Sequence, residues 1–192
     1  MSIVHKLNLV MRRKTAKILS AVFIILVSLF YILRNEFSLP FQQGSESLFF
    51  VTEINDGDTI SVIMNKKREK VRLIGIDAPE IGQKPWGRRS KKFLKDLVSS
   101  SGWKVRVELD IQPRDKYGRM LAYVWTKDGR LVNLLMLKNG YAMLFTVPPN
   151  VKYVSEFREA QREAREKKRG IWSKNGLRER PRDYRREHPV FR

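Results

Sequence analysis

Three acidic residues stand at the ends of predicted strands, where carboxylates can converge. Asp58 closes the turn between the first two predicted strands, Asp77 follows the third, and Glu80 comes three residues later in the sequence IDAPE. Each has an ordinary structural explanation, because aspartate often stabilises turns by bonding to nearby backbone. If the strands form a meander, however, the three carboxylates can meet at one end of it. Such a hard-oxygen site suits Ca²⁺, and Mg²⁺ is a weaker alternative.

Two arginines accompany these acids. Arg72 lies in the otherwise apolar segment VRLIGI, so its guanidinium needs a carboxylate or a phosphate as partner. It precedes Asp77 by five positions, and residues so spaced face opposite sides of a strand unless the backbone bends, which Gly75 would allow. Arg119 opens a later strand after the turn DKYG, where its ordinary role would be that of a surface residue beside a hairpin.

Carboxylates that hold a metal ion beside two arginines suit the hydrolysis of phosphodiesters. The metal ion polarises a phosphoryl oxygen and helps to orient water, and a carboxylate can accept a proton from that water. Planar arginines stabilise the charge of a pentacoordinate transition state. The sequence therefore predicts this chemistry if its strands bring the five side chains together.

The composition of the chain narrows the alternatives. The 192 residues include no cysteine and only two histidines, His5 and His188, at opposite ends of the chain. Thiolate metal sites and cysteine nucleophiles are therefore excluded, and Ser-His-Asp catalysis is disfavoured. The formal net charge is +19, and residues 46–173 alone hold 26 basic and 16 acidic side chains. Such a surplus favours a polyanionic partner, either nucleic acid or an anionic membrane.

Hydrophobic patterns predict the elements that must position these residues. Runs of apolar and β-forming residues, two of them clearly alternating, predict five strands, and two amphipathic patterns and one short apolar run predict three helices. The strands are 48–55, 59–64, 69–76, 104–109 and 119–126, and the helices are 87–100, 131–139 and 154–169. Five strands with a helix after the third predict an OB-type five-stranded β-barrel with three helices, preceded by one N-terminal hydrophobic helix. The predicted class is α+β, mainly β, and the barrel domain occupies residues 47–173.

Both ends of the chain are predicted to lie outside this domain. Residues 1–17 are basic, residues 18–33 carry no charge, and residues 34–46 form a polar linker. As a helix the uncharged run would measure about 24 Å, slightly short of a bilayer core, but Lys17 and Arg34 at its ends can snorkel to the interface. Because no convincing small-residue cleavage site follows it, an uncleaved transmembrane signal-anchor is favoured over a cleaved signal peptide. The positive-inside rule then places the domain outside the cytoplasm, anchored or secreted. The basic residues 174–192 are predicted to be a solvated, flexible tail, with a docking arm for polyanions as the alternative.

Four motifs in a fixed order carry a family resemblance. The segments INDGDTI, VRLIGIDAPE, DKYGRMLAYV and VNLLMLKNGYA, spread over about residues 48–173, resemble the staphylococcal nuclease (thermonuclease) family. The resemblance implies an OB-type barrel with three helices. It also implies a Ca²⁺-dependent nuclease that cleaves DNA and RNA with little sequence preference and leaves 3′-phosphate products. We expect the protein to act as a monomer without a protein partner.

The resemblance also assigns roles by position. Asp58 and Asp77 match the family's Ca²⁺-ligating aspartates, and Ala78 stands where a backbone carbonyl reaches the ion. Glu80 matches the carboxylate usually assigned as the general base. The other matches are the phosphate-binding Arg72 and Arg119, the supporting turn acid Asp56, the substrate-binding Lys116 and Tyr117, and Phe145 and Val147 in place of two base-contacting tyrosines. Phenylalanine can stack on a base, but it cannot donate a hydrogen bond.

Two other functional classes stay open at this point. One is a nuclease-like OB module with weak or no catalysis that only binds nucleic acid. The other is a membrane-surface protein whose basic face binds anionic lipid. A pure binding module has no use for carboxylates beside a phosphate, which they would repel. The joint presence of three acids and two arginines therefore favours the enzyme.

Overall fold

The structure, a computed structural model, describes residues 47–189 and three single positions, Phe23, Val27 and Ser28. The chain divides into two compact units, Met1–Glu46 and Ser47–Arg192. Apart from the three single positions, the basic segment, the transmembrane segment and the linker predicted for residues 1–46 lie outside the described residues. Within the described part of the chain, no helix has both the length and the apolar character needed to span a bilayer.

The second unit contains twelve elements within residues 47–189. The strands are β1 Leu48–Ile54, β2 Thr59–Met64, β3 Lys67–Leu73, β4 Ile76–Asp77, β5 Lys104–Arg114, β6 Met120–Thr126 and β7 Met143–Leu144. The helices are α1 Trp86–Ser100, α2 Val132–Lys138, α3 Val154–Glu166 and α4 Pro181–Glu187, with a 3-10 helix at Gly170–Trp172. The strands and helices therefore lie close to where the sequence patterns predict them.

Five strands close into a barrel in the order β1-β2-β3-β6-β5. Strands β3 and β6 run parallel, and the other neighbouring pairs are antiparallel. A register shift between Val51 and Glu53 bends β1, as bulges commonly do in small closed barrels. The predicted OB-type five-stranded barrel is confirmed. The parallel pair matters for function because it places β3, which carries Arg72, beside the strand that follows Arg119.

Apolar residues of the strands fill the barrel, and three helices cover it. Ile60 and Val62 of β2, Val71 of β3 and Val105 of β5 are fully buried. Full burial of such a side chain contributes about 1.5–3 kcal/mol. The helices add buried residues from their inner faces, namely Leu94 and Val98 of α1, Met136 and Leu137 of α2, and Phe157 of α3. This packed core gives the site a rigid base.

The predicted third strand, residues 69–76, is divided in two. Strand β3 ends at Leu73, and after a two-residue turn β4 pairs with β7 instead of continuing in the barrel. Gly75 has a φ of +79°, a conformation that side chains with a Cβ rarely adopt. A Cβ at this position would also lie 2.5 Å from the ring of Phe157. The bend expected at Gly75 therefore turns the chain just before Asp77.

The C-terminal residues differ most from the sequence prediction. Residues 174–189 run along the domain and form α4, a fourth helix beyond the three predicted. Pro181 opens this helix, where its missing N–H costs nothing, and its ring is buried. The sequence predicts only a solvated, flexible tail here, because polar contacts rather than an apolar stripe hold this segment. Pattern analysis detects apolar stripes and not such contacts.

Candidate active site

Asp58, Arg72 and Asp77 form a buried ion-pair cluster at one end of the barrel. Nη2 of Arg72 lies 3.1 Å from Oδ2 of Asp58 and 3.4 Å from Oδ1 of Asp77. Nη1 of Arg72 donates to the carbonyl of Leu73 at 2.8 Å, which fixes the guanidinium. The two aspartates are only 7% and 3% exposed, and an adjacent guanidinium offsets part of the cost of burying them. The partner that the sequence requires for Arg72 is therefore this pair of acids.

Backbone contacts fix the position of Asp58. Its carboxylate accepts hydrogen bonds from the amide of Ala78 at 2.8 Å and from the hydroxyl of Thr59 at 3.1 Å. Its carbonyl accepts a hydrogen bond from the amide of Leu73 at 2.9 Å. Gly57 permits this close packing, since a Cβ there would lie 2.6 Å from that of Ala78. The turn before β2 is thus tied to the end of β3 and to the residue after β4.

Asp56 belongs to the same turn. Its Oδ1 accepts a hydrogen bond from the amide of Asp58 at 2.9 Å. Burial, and then the negative charge of Asp58, raise the pKa of Asp56 to about 7. The positive charge of Arg72 lowers this pKa by a smaller amount. Crowded acids with raised pKa values are typical of functional sites, and a supporting role for Asp56 stays a prediction.

Glu80 lies at the rim of the cluster. Its amide donates to Oε1 of Gln83 at 2.9 Å, and its carbonyl accepts from the amide of Gln83 at 2.9 Å. Its side chain is 35% exposed, so water can reach the carboxylate. Nη1 of Arg185 lies 2.7 Å from Oε1 of Glu80 and 3.0 Å from Oδ1 of Asp77. One guanidinium therefore holds the rim carboxylate and a buried carboxylate together.

Arg185 is the site residue that the sequence prediction missed. It lies on α4, 108 positions after Asp77, and its Nη1 and Nη2 each donate to one Asp77 oxygen at 3.0 Å. Burial alone would lower the pKa of Arg185, but its hydrogen bonds to Asp77 and Glu80 raise it above the ordinary value. Pro181 is a signal for the start of a helix here. That signal does not single out one arginine in an arginine-rich segment.

Arg119, Lys116 and Tyr117 form a second, more exposed group on the turn between β5 and β6. Nε of Arg119 lies 2.8 Å from Oδ2 of Asp115. The guanidinium carbon of Arg119 and Nζ of Lys116 lie 5.6 Å and 5.1 Å from the centre of the Tyr117 ring. Within residues 47–189, no hydrogen bond or ion pair joins Arg119 to the carboxylate cluster. The parallel pairing of β3 with β6 nevertheless places Arg72 of the cluster beside the strand that begins directly after Arg119.

Phe145 and Val147 follow β7, the partner of the strand that carries Asp77. The amide of Phe145 donates to the carbonyl of Gly75 at 2.9 Å. Its backbone is therefore joined to the turn that precedes Asp77, and its side chain is half-buried. Val147 is exposed. A substrate contact by Phe145 stays a prediction.

The donor set at the cluster suits a hard cation in its chemistry. Asp58 and Asp77 supply carboxylate oxygens to one nitrogen of Arg72, so their surroundings already accommodate positive charge between them. In the described part of the chain, no three His, Cys, Asp or Glu side chains stand close enough together to hold a metal ion. Glu80 instead faces the guanidinium of Arg185. The metal-binding roles of Asp58, Asp77 and the Ala78 carbonyl therefore stay predictions.

Comparison with known proteins agrees with the barrel. Residues 70–174 match the family described as staphylococcal nuclease homologue. The thermonuclease of Staphylococcus intermedius is 35% identical over 173 residues, which cover 85% of this chain and all of that protein. The endonuclease YncB of Bacillus subtilis is 43% identical over 146 residues, 71% of this chain and 68% of its own length. The thermonuclease of Staphylococcus hyicus is 35% identical over 163 residues, 78% and 95% of the two chains.

The barrel and the matches to known proteins together define an OB-barrel enzyme that hydrolyses phosphodiesters. The chain belongs to the staphylococcal nuclease family. The expectation of a nuclease is thereby confirmed.

Proposed function

We propose that this protein is a calcium-dependent nuclease that hydrolyses DNA and RNA with low sequence specificity and leaves 3′-phosphate products. The observation that carries this proposal is that Arg72 joins Asp58 to Asp77 and that Arg185 joins Asp77 to Glu80, all at one end of the barrel. Two buried carboxylates beside a half-exposed one supply both metal ligands and a proton acceptor. We further propose that the protein acts as a monomer.

The buried aspartates serve as the metal ligands in this proposal. Asp58 and Asp77, with the backbone carbonyl of Ala78, would hold Ca²⁺, which when bound polarises a phosphoryl oxygen and helps to orient water. The hydrogen bonds from Ala78 and Thr59 hold the Asp58 carboxylate in place before any ion arrives. Such preorganisation reduces the cost of assembling the site during the reaction.

Glu80 and the two arginines act on the phosphodiester itself. Glu80 accepts a proton from the attacking water, a new bond forms between water oxygen and phosphorus, and the bond to the 5′ oxygen breaks. The 5′ oxygen takes a proton from solvent, and the phosphate stays on the 3′ side. Arg72 and Arg119 stabilise the extra negative charge on the phosphoryl oxygens, for which a planar guanidinium is well suited. Lys116, Tyr117 and Phe145 contact the substrate beside this centre.

A direct test uses the full-length protein with plasmid DNA and a defined RNA, in CaCl₂ and in EDTA. We expect degradation in CaCl₂, its loss in EDTA, and 3′-phosphate ends. Glu80→Gln should lower kcat by about a hundredfold or more, the usual scale for loss of a general base. Glu159→Gln is the matched control, because Glu159 is an exposed α3 residue paired with Arg162.

The outcomes separate the proposal from its alternatives. Degradation that survives EDTA would overturn the metal requirement. A gel shift without degradation in CaCl₂ would favour the nucleic-acid-binding module with weak catalysis. Glu80→Gln with normal kcat would remove Glu80 from the mechanism.

We also propose that residues 18–33 anchor the nuclease domain outside the cytoplasm. This proposal is supported by the uncharged run and by the basic residues that precede it. Basic residues beside a membrane-spanning helix favour the cytoplasmic side, so the domain that follows the helix would lie on the other side. Secretion after cleavage is the alternative. N-terminal sequencing of the mature protein distinguishes the two, because an anchored chain keeps residues 1–33 and a secreted chain loses them.

A further inference from the structure

Residues 174–189, named here the C-terminal strap, dock on the loop that follows Glu80. The indole Nε1 of Trp86 donates to the carbonyl of Asn175 at 3.3 Å. The side-chain amide of Gln83 donates to the carbonyl of Glu179 at 2.8 Å. Gln83 also holds the Glu80 backbone through its other amide atom. The same glutamine therefore joins the strap to the residue proposed as the general base.

Helix α4 of the strap lies close against this loop. The Tyr184 side chain packs directly on Gly82, where no Cβ could be accommodated without displacing the tyrosine. Pro181 at the start of α4 is buried. Yet the strap contributes few other buried residues, and Arg182, Arg185 and Arg186 are all exposed or largely so. A segment held by few apolar contacts can detach at small cost compared with the core of the barrel.

Arg185 places a cation on the oxygens that a metal ion would need. Its two terminal nitrogens bind both oxygens of Asp77 at 3.0 Å, and Nη1 also binds Glu80 at 2.7 Å. This bidentate arrangement is the strong form of the arginine–carboxylate pair. Asp77 itself is nearly fully buried, while the Arg185 side chain is 43% exposed. The guanidinium thus covers the carboxylate from the solvent side.

A guanidinium and Ca²⁺ compete for the Asp77 carboxylate, because two cations held by one carboxylate repel each other. Arg185 binds both Asp77 oxygens from the solvent side, and Arg72 shares Oδ1. Entry of the ion from solvent is therefore favoured when Arg185 leaves at least one oxygen. Since Arg185 belongs to α4, its departure would loosen the strap from the loop at residues 82–86.

We propose that the C-terminal strap is an intramolecular competitor for the metal site, closed through Arg185 when no metal is bound and released when Ca²⁺ binds. The proposal rests on the calcium dependence proposed above. In the closed state Arg185 also neutralises Glu80, so the proposed general base is not free to accept a proton. Binding of Ca²⁺ and release of Glu80 from Arg185 therefore occur together.

Calcium affinity measures this competition without reference to activity. Isothermal titration calorimetry with CaCl₂ would compare full-length protein with Arg185→Ala and with Arg182→Ala. The control removes the same charge from the same helix, but Arg182 makes no ion pair with Asp77 or Glu80 within the described residues. A strap that is closed about nine-tenths of the time weakens the apparent affinity about tenfold, so Arg185→Ala should bind Ca²⁺ about tenfold more tightly and Arg182→Ala should change it little.

Hydrogen–deuterium exchange provides a second readout. In the unaltered protein, CaCl₂ should speed exchange at the amides of residues 182–187, while the barrel amides stay unchanged or become slower. Equal Ca²⁺ affinity in Arg185→Ala and the unaltered protein, or weaker affinity in the variant, would overturn the competitor role. Slower exchange of α4 with Ca²⁺ would do the same. No Ca²⁺ binding by either protein would overturn the proposed calcium dependence itself, and the strap proposal with it.

Discussion

Arg72 and Asp77 lie five positions apart in the chain, and the guanidinium of one reaches the carboxylate of the other at 3.4 Å. In a continuous strand their side chains would point to opposite faces. They meet because the chain turns at Gly75 and Asp77 leaves the barrel to pair with Met143 on β7. The site therefore depends on one glycine that is not itself part of it.

Gly75→Ala should destabilise the protein and displace Asp77. The left-handed conformation costs about 1–2 kcal/mol for a residue with a Cβ, and the contact with the Phe157 ring adds about 1–3 kcal/mol of overpacking. Gly129→Ala is the control, because Gly129 has a similar φ of +81° but open space around it. Denaturant unfolding, monitored by tryptophan fluorescence, gives the free energy of unfolding of both variants. An equal loss in the two variants would contradict the packing argument.

Asn133→Ala should cost more stability than Asn139→Ala, a substitution at the partly buried residue that directly follows the same helix. Asn133 is fully buried, accepts from the amide of Val124 at 2.9 Å and donates to the carbonyl of Ile74 at 2.8 Å. The substitution removes the partner of the Val124 amide and of the Ile74 carbonyl, and each buried group left unpaired costs about 1–3 kcal/mol of stability. Asn139→Ala removes only a local bond to Leu135 and should cost under about 1 kcal/mol. Similar midpoints in urea for the two variants would show that Asn133 does not tie α2 to the turn before Gly75.

Arg119→Ala should slow the nuclease with little effect on its folding. Loss of a group that stabilises charge in the transition state typically costs about 10²–10³ in kcat. Arg130→Ala is matched to it, since Arg130 pairs with an aspartate of its own turn at 2.7 Å. Initial rates on a fluorescent oligonucleotide over a range of concentrations separate kcat from KM. A change in KM alone would reduce Arg119 to a substrate-binding residue.

Tyr123→Phe should lower stability near neutral pH, and its effect should shrink in alkali. The buried hydroxyl donates to Oδ2 of Asp110 at 2.9 Å, a bond that contributes about 1 kcal/mol. Burial, and then this hydrogen bond, raise the pKa of Tyr123 above its ordinary value. Stability from this group is therefore present below the ordinary tyrosine pKa, about 10, and is lost as the pH rises above it. The free energy of unfolding of both proteins should be measured at pH 7 and at pH 11. The difference between the two proteins should be smaller at pH 11, and a larger difference at pH 11 would contradict the assignment.

The sequence predicts the barrel well because each strand carries its own pattern. The segment TISVIM alternates between apolar and polar residues over β2. The segment VRLIGI contains an arginine that needs a partner, and the two buried aspartates are that partner. Gly75 is recognisable as a bend because the site needs one there. Local chemistry thus accounts for the barrel and for the Asp58–Arg72–Asp77 cluster.

Long-range polar contacts account for what the sequence does not predict. Strand β4 has two residues, and its partner at Met143–Leu144 is equally short, so neither produces a periodic pattern. Arg185 reaches Asp77 across 108 positions from an arginine-rich segment in which several residues have the same chemistry. Asn133 lies within an apolar helix, where only the tertiary structure reveals that its amide joins two backbone groups.

The family match runs from residue 70 to residue 174, and the carboxylate site extends past both of these limits. Asp58 lies before the first limit, and Arg185, which binds Asp77 and Glu80, lies after the second. A fragment trimmed to the matched region would lack two strands of the barrel, one aspartate of the cluster and the guanidinium over it. Anyone who shortens this chain for expression should therefore cut before residue 47 and leave the C-terminal end intact.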